Sequence, residues 1–120
     1  MRRNFDLIRA IALKVEESSE SPLGWIELEI DGFSDEEVSY HVMLMDEAGI
    51  LVGQNLSSGE LCWRPKRLTW VGHEFVEAAR DDKLWKQALT KIGGAVSGVS
   101  FQVLVQVLTS LALGALGLAA

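Results

Sequence analysis

The stretch Ser34 to Leu51, SDEEVSYHVMLMDEAGIL, constrains the fold more than any other part of the chain. Ser34 and Glu37 have the spacing of a capping box, in which each side chain satisfies a free backbone N–H of the other residue. Val38, His41, Val42, Met45 and Ala48 recur at helical spacing and make one face. Gly49 supplies the left-handed residue that ends a helix, and Ile50, Leu51 and Val52 open an extended run. A capped amphipathic helix that passes directly into a strand is therefore expected here.

The flanking segments follow the same reasoning. Arg2 to about Ser18 reads as a first helix with Leu7, Ile8, Ile11 and Val15 on one face. Glu17 to Gly24 is a polar break containing Pro22. Trp25 to Ile30, WIELEI, alternates as a half-buried strand, with Ile26, Leu28 and Ile30 on one side. After the capped helix, Ile50–Leu56 and Glu60–Leu68 read as two strands about the turn Ser57-Ser58-Gly59, with Pro65 marking an edge or a bulge. Thr69 is a plausible N-cap for a helix running to Arg80, with Val71, Phe75, Val76 and Ala79 as its buried face. Asp81-Asp82 breaks that helix, Lys83–Ile92 continues it, Gly93-Gly94 is a hinge, and Ser100–Leu118 is a final apolar helix.

Charge narrows the function classes. The net charge of −6 and pI near 4.8 disfavour generic nucleic-acid binding, which needs clustered Lys and Arg on phosphate. The single cysteine, Cys62, cannot form an internal disulfide or a cysteine zinc cluster. Arg2, Arg3, Asp6, Arg9 and Lys14 leave no apolar core for a secretory signal, so a cytoplasmic protein is expected. Charge also stops at Lys91, leaving 29 uncharged residues from Ile92 to Ala120. The chain thus divides into residues 1–92 and an uncharged helical tail, 93–120.

The helix ending in Ala48-Gly49-Ile50 and the paired strands after it resemble the third helix and wing of a winged helix-turn-helix domain. The helix that would stand before the recognition helix is replaced by a turn and a strand, so the version is abbreviated. MRRNFDLIR, EEVSYHVMLMDEAGIL and RLTWVGHEFVEAARDDKLW together resemble a bacterial and phage family, domain of unknown function 2513. The most specific piece is Leu68-Thr69-Trp70-Val71-Gly72-His73-Glu74-Phe75, followed by Arg80-Asp81-Asp82 and Trp85. The resemblance implies a winged-helix-like fold and carriage on phages, prophages and other mobile elements. It implies no activity and no catalytic residues.

Candidate sites divide into three surfaces. The outer face of the capped helix carries Glu36, Glu37, Ser39, Tyr40, Met43 and Glu47, and its carboxylates suit a protein partner better than a major groove. Arg64, Lys66 and Arg67 cluster on the wing and, with Arg2 and Arg3, are the candidate phosphate contacts; the same run also guards a sheet edge. The tail offers Phe101, Val105, Leu108, Leu111 and Gly114 as an oligomer or membrane surface. No catalytic residue, metal site or cofactor is expected: His41 and His73 lack zinc-motif spacing, Cys62 lacks an activating base, and Arg80-Asp81-Asp82 reads as an ion-pair cluster.

The sequence therefore predicts an α+β chain, an abbreviated winged helix-turn-helix with a C-terminal apolar helix. The function expected first is a non-enzymatic regulatory or protein-interaction module that forms a homo-oligomer through its tail. The alternatives are a membrane-active effector (a toxin or phage-defence protein at the inner membrane, inserting the tail in the bilayer) and a DNA-binding transcription regulator.

Overall fold

The computed structural model describes residues 1–18 and 24–117. They form an α+β structure of five helices and one two-stranded sheet: α1 (Phe5–Ser18), α2 (Asp35–Glu47), β1 (Leu51–Asn55), β2 (Trp63–Leu68), α3 (Trp70–Ala79), α4 (Asp82–Ile92) and α5 (Phe101–Ala115). Most of the expected Glu17–Gly24 break, and Leu118, lie outside the described residues.

Helix α1 is the centre of the core. Phe5, Leu7, Ile8, Ile11, Ala12 and Val15 are all buried. It begins at Phe5 rather than Arg2 because Asn4 caps it, its side-chain oxygen accepting from the N–H groups of Asp6 and Leu7 at 2.9 and 3.3 Å. Burying α1 on several sides leaves little room for charge, so its polar residues lie toward the ends and one flank.

The capping box of α2 is complete: Ser34 Oγ accepts from Glu37 N–H at 3.1 Å and Glu37 Oε1 accepts from Ser34 N–H at 3.0 Å. Val38, His41, Val42 and Met45 are buried, whereas Ala48 is exposed at the end of the helix. Gly49, at φ +75°, turns the chain, and the N–H of Ile50 reaches back to the Met45 carbonyl at 2.9 Å.

Strands β1 and β2 pair antiparallel from Leu51 opposite Leu68 to Asn55 opposite Trp63, and the register shifts between Val52 and Gly53. Lys66 is the extra residue of that bulge, next to Pro65, which has no N–H for a ladder. Trp25–Ile30 alternates exposed and partly buried residues as expected, but it does not join the sheet as a strand. Among the described residues, its one backbone bond to the hairpin runs from Ile26 N–H to the Pro65 carbonyl, 2.7 Å. Pro65 cannot return that bond, so the ladder does not propagate.

Thr69 caps α3 and ties it to the α2–β1 turn. Its hydroxyl accepts from Gly72 N–H at 3.1 Å and donates to the Gly49 carbonyl, while its own N–H donates to the Ile50 carbonyl at 3.1 Å. Gly72, Phe75, Val76 and Ala79 form the buried face; Val71, expected there, is half exposed at 51%. The face is rotated because α3 approaches backbone to backbone: a Cβ on Gly72 would stand 1.9 Å from the Ile50 carbonyl oxygen.

The tail packs within the same core. Leu104 and Leu108 are fully buried with α1, α3 and α4 residues, and Phe101 lies against Phe75 with ring centroids 5.0 Å apart. Among the described residues, no helix is long and apolar enough to cross a membrane. Helix α5 has 15 residues, a length of about 22 Å against a hydrocarbon core of about 30 Å. The alternative of membrane insertion is therefore not favoured, and Leu104 and Leu108 are already covered by protein.

Gly72→Ala is expected to lower stability by about 2 kcal/mol or more, because a backbone carbonyl cannot move aside as a side chain can. Gly98→Ala, where nothing lies within 4 Å, serves as the neutral control. Equal urea midpoints for the two variants would contradict the close approach.

Candidate interaction surfaces

Each surface expected from sequence is rearranged by the packing. On α2, Glu36 and Glu47 are exposed and Tyr40 and Met43 are partly exposed, so these four form an outward face. Ser39 does not belong to it. It is buried, and its hydroxyl accepts from Trp63 N–H at 3.1 Å and lies 3.5 Å from the Trp63 carbonyl. Asp46, two turns along the same side, accepts from Gly53 N–H at 2.9 Å. Ser39, Val42 and Asp46 thus form an i, i+3, i+7 stripe that holds the hairpin by its backbone, a pattern legible in the sequence once the hairpin is known to lie there.

The basic run on β2 is divided. The Arg64 guanidinium lies 4.4 Å from the centre of the Trp25 ring and 3.4 Å from Glu27 Oε1, so it serves the extended segment. Arg67 is exposed and Lys66 partly exposed on the bulge. Arg3 sits elsewhere: it donates to the Val99 carbonyl at 2.9 Å and covers the Phe5 ring, beside the C-terminal end of α2. Arg3 is thus engaged with Val99 and Phe5, while Lys66 and Arg67 stand on the bulge of the hairpin.

The tail residues Phe101, Val105, Leu108 and Leu111 are buried or partly buried by the chain itself, and Gly114 is exposed. Leu104, absent from the expected set, is among the most buried residues of α5. The apolar residues left outward are Val103, Leu113 and Leu116.

Arg80, Asp81 and Asp82 form a structural junction with α1. Arg9 Nε donates to the Ala79 carbonyl at 2.7 Å, and one terminal nitrogen reaches the Arg80 carbonyl at 3.1 Å and Asp82 Oδ1 at 2.6 Å. The same guanidinium lies over Trp85, whose ring N–H donates to Asp6 Oδ1 at 2.8 Å. Arg9 thus occupies the carbonyls at the end of α3, where a helix presents partial negative charge. It also holds the Asp82 carboxyl below the usual carboxylate range. Arg80 turns away to Glu16 and Glu77, at 2.7 and 2.8 Å, and Asp81 caps α4 through Leu84 N–H. The role of Arg9 had no sequence signal, because its partners lie 70 or more residues away.

His41 is buried and His73 is exposed. The His41 Nδ1 lies 2.8 Å from the Glu37 carbonyl and Nε2 accepts from Asn4 N–H at 2.9 Å. The ring must therefore carry its proton on Nδ1 and remain neutral, because a proton on Nε2 would face the Asn4 donor. Burial pushes its pKa down, against the raising effects of the Glu37 carbonyl and carboxylate. Among the described residues, no group of three or more His, Cys, Asp and Glu side chains is placed to hold a metal ion. Cys62 is free and partly buried.

A gap of about 260 Å³ lies between the extended segment, the N-terminal half of α2 and the returning limb of the hairpin. Ile26, Leu28, Val38 and Trp63 give it an apolar floor; Glu27, Glu29, Asp35 and Glu60 are exposed around it. Neither the gap nor its acidic rim was visible in the sequence, because residues 27 to 29, 35 and 60 meet only in the fold.

Two outcomes follow for stability. Arg9→Ala is expected to cost about 2 kcal/mol, since it leaves the helix-end carbonyls and the Trp85 face uncovered; an unchanged urea midpoint would contradict the junction. For His41, a lowered folded pKa means that the unfolded chain takes up the proton first. Stability is therefore fully present above 6.5 and is lost as pH falls through the folded value. An NMR titration should place the His41 midpoint below 6.5, and a midpoint at or above 6.5 would contradict the burial-driven lowering.

Comparison with known proteins agrees with the specific motifs. A Haemophilus influenzae protein named "Uncharacterized protein" is 37% identical over 108 residues, which cover 89% of this chain and 92% of that one. No solved structure matches. Residues 2–98 match the family described as "Hypothetical protein (DUF2513)", and the chain belongs to that family.

Proposed function

We propose that the chain is a non-enzymatic interaction module on an abbreviated winged-helix scaffold, and that its partners are proteins rather than DNA. The observation that carries this reading is the composition of α2. It holds five carboxylates, Asp35, Glu36, Glu37, Asp46 and Glu47, and no Lys or Arg. In a winged-helix reader the equivalent helix enters the major groove, where phosphates on both sides would repel that charge. The order of α1, extended segment, α2 and hairpin supports the winged-helix description. The engagement of Arg64 with Trp25 and of Arg3 with Phe5 also supports the reading, since it leaves Lys66 and Arg67 as the outward cations of the hairpin.

Self-association belongs to the proposal through the outward residues of α5, Val103, Leu113 and Leu116, rather than through Phe101, Val105, Leu108 and Leu111. Light scattering after size exclusion tests it. A dimer that Leu113→Glu converts to monomer supports this surface; a dimer indifferent to that change assigns the contact elsewhere.

A duplex DNA anisotropy titration in about 50 mM salt tests the choice of partner. No saturable binding is expected. Binding with a steep salt dependence, lost on changing Lys66 and Arg67 to Glu, would reverse the reading.

A further inference from the structure

Residues 25–30 lie beside β2, joined to it by the Ile26–Pro65 bond, with a strand's alternation of exposed and partly buried residues but without a strand's partners. Among the described residues, Glu27, Leu28 and Glu29 make no backbone hydrogen bond. Two local facts stop β2 from supplying them. Pro65 has no N–H, and the N–H and carbonyl of Trp63 face the Ser39 hydroxyl. The segment therefore borders a gap of about 260 Å³ while its own peptide groups stay open. An exposed extended stretch with free N–H and C=O groups is a template for a further strand.

We propose that this edge takes up an extended segment of a partner protein that carries Lys or Arg at alternate positions with aliphatic residues between. This deepens the protein-interaction reading and rests on it, but places the contact on a face other than the outer side of α2. Charge decides the occupant. Glu27, Glu29, Asp35 and Glu60 surround the gap, and Arg64, the cation that borders it, is already held by Trp25 and Glu27. A second copy pairing through the same segment would bring Glu27 and Glu29 against their own kind, which destabilises cross-strand pairs. A basic strand meets opposite charge on alternate residues, and its aliphatic residues meet the floor of Leu28, Val38 and Trp63.

The test uses the full chain labelled with nitrogen-15 and synthetic peptides of about eight residues, a common strand length. One alternates Lys with Val, one alternates Glu with Val, and one is the Lys–Val peptide with alternate backbone nitrogens methylated. The Lys–Val peptide is expected to bind saturably and to slow hydrogen exchange at the amides of residues 27 to 29 by about tenfold or more. Backbone methylation should weaken binding by at least about tenfold, because it removes strand hydrogen bonds and leaves the charge. Glu29→Lys with Glu60→Lys, both at exposed positions, should reverse the preference toward the Glu–Val peptide. No binding, equal binding of the methylated peptide, or protection that avoids residues 27 to 29 would overturn the proposal. Protection that grows with protein concentration in the absence of peptide would overturn it in favour of a second copy. DNA binding in the separate anisotropy experiment would instead count against the broader reading, so the two failures are distinguishable.

Discussion

The structure depends on a single close approach, that of the first turn of α3 to the turn between α2 and β1. Gly72 has no Cβ because the Ile50 carbonyl occupies that space, and Thr69 binds both sides of the contact. Through it the hairpin cannot shift without moving α3, and α3 carries Phe75 and Val76 into the core around α1. The arrangement also explains why Trp70 is 81% exposed and Val71 half exposed: the helix is oriented by its glycine, not by its largest apolar side chains. Backbone proximity outranks the hydrophobic pattern here, since burying Val71 would require turning Gly72 away from Ile50.

Local signals in the sequence translate well into structure. The capping box, the left-handed Gly49, the Thr69 cap and the break at Asp81 depend on residues within one turn of each other, and all four are present. The DUF2513 resemblance is also right over residues 2–98. Non-local choices translate less well. The WIELEI alternation reports burial of one side, which the structure has, but it cannot report whether the neighbour has an N–H to offer. Ser39 looks like a solvent-facing residue because a serine is more often exposed than buried. It is buried because the Trp63 backbone needs a hydrogen-bond partner that the missing third strand does not supply.

The two charged clusters illustrate how position changes the meaning of the same residue types. Asp81 and Asp82 are adjacent, yet one caps α4 and the other meets Arg9, so they share no site. Glu27, Glu29, Asp35 and Glu60 are scattered in sequence but gather around one gap. In the first case both carboxylates have a partner inside the chain. In the second the nearby cation is committed to Trp25 and Glu27, and the remaining charge faces outward. Exposed carboxylates are solvated and cost little unpaired, so that edge keeps charge and backbone groups available to a partner of opposite sign, whereas the junction has used both.

Core demand accounts for the apolar residues that the uncharged tail buries. Helices α3 and α4 are short, and alone they would leave Phe75, Trp85 and Ala88 partly open to water. Helix α5 closes that side with Phe101, Leu104 and Leu108, and its Gln102, Gln106 and Thr109 stripe faces solvent. A membrane span would need both a longer apolar run and a free apolar circumference. Here the circumference is divided among a buried face, a glutamine stripe and the outward Val103, Leu113 and Leu116, and the buried part reflects helix packing against α3 and α4.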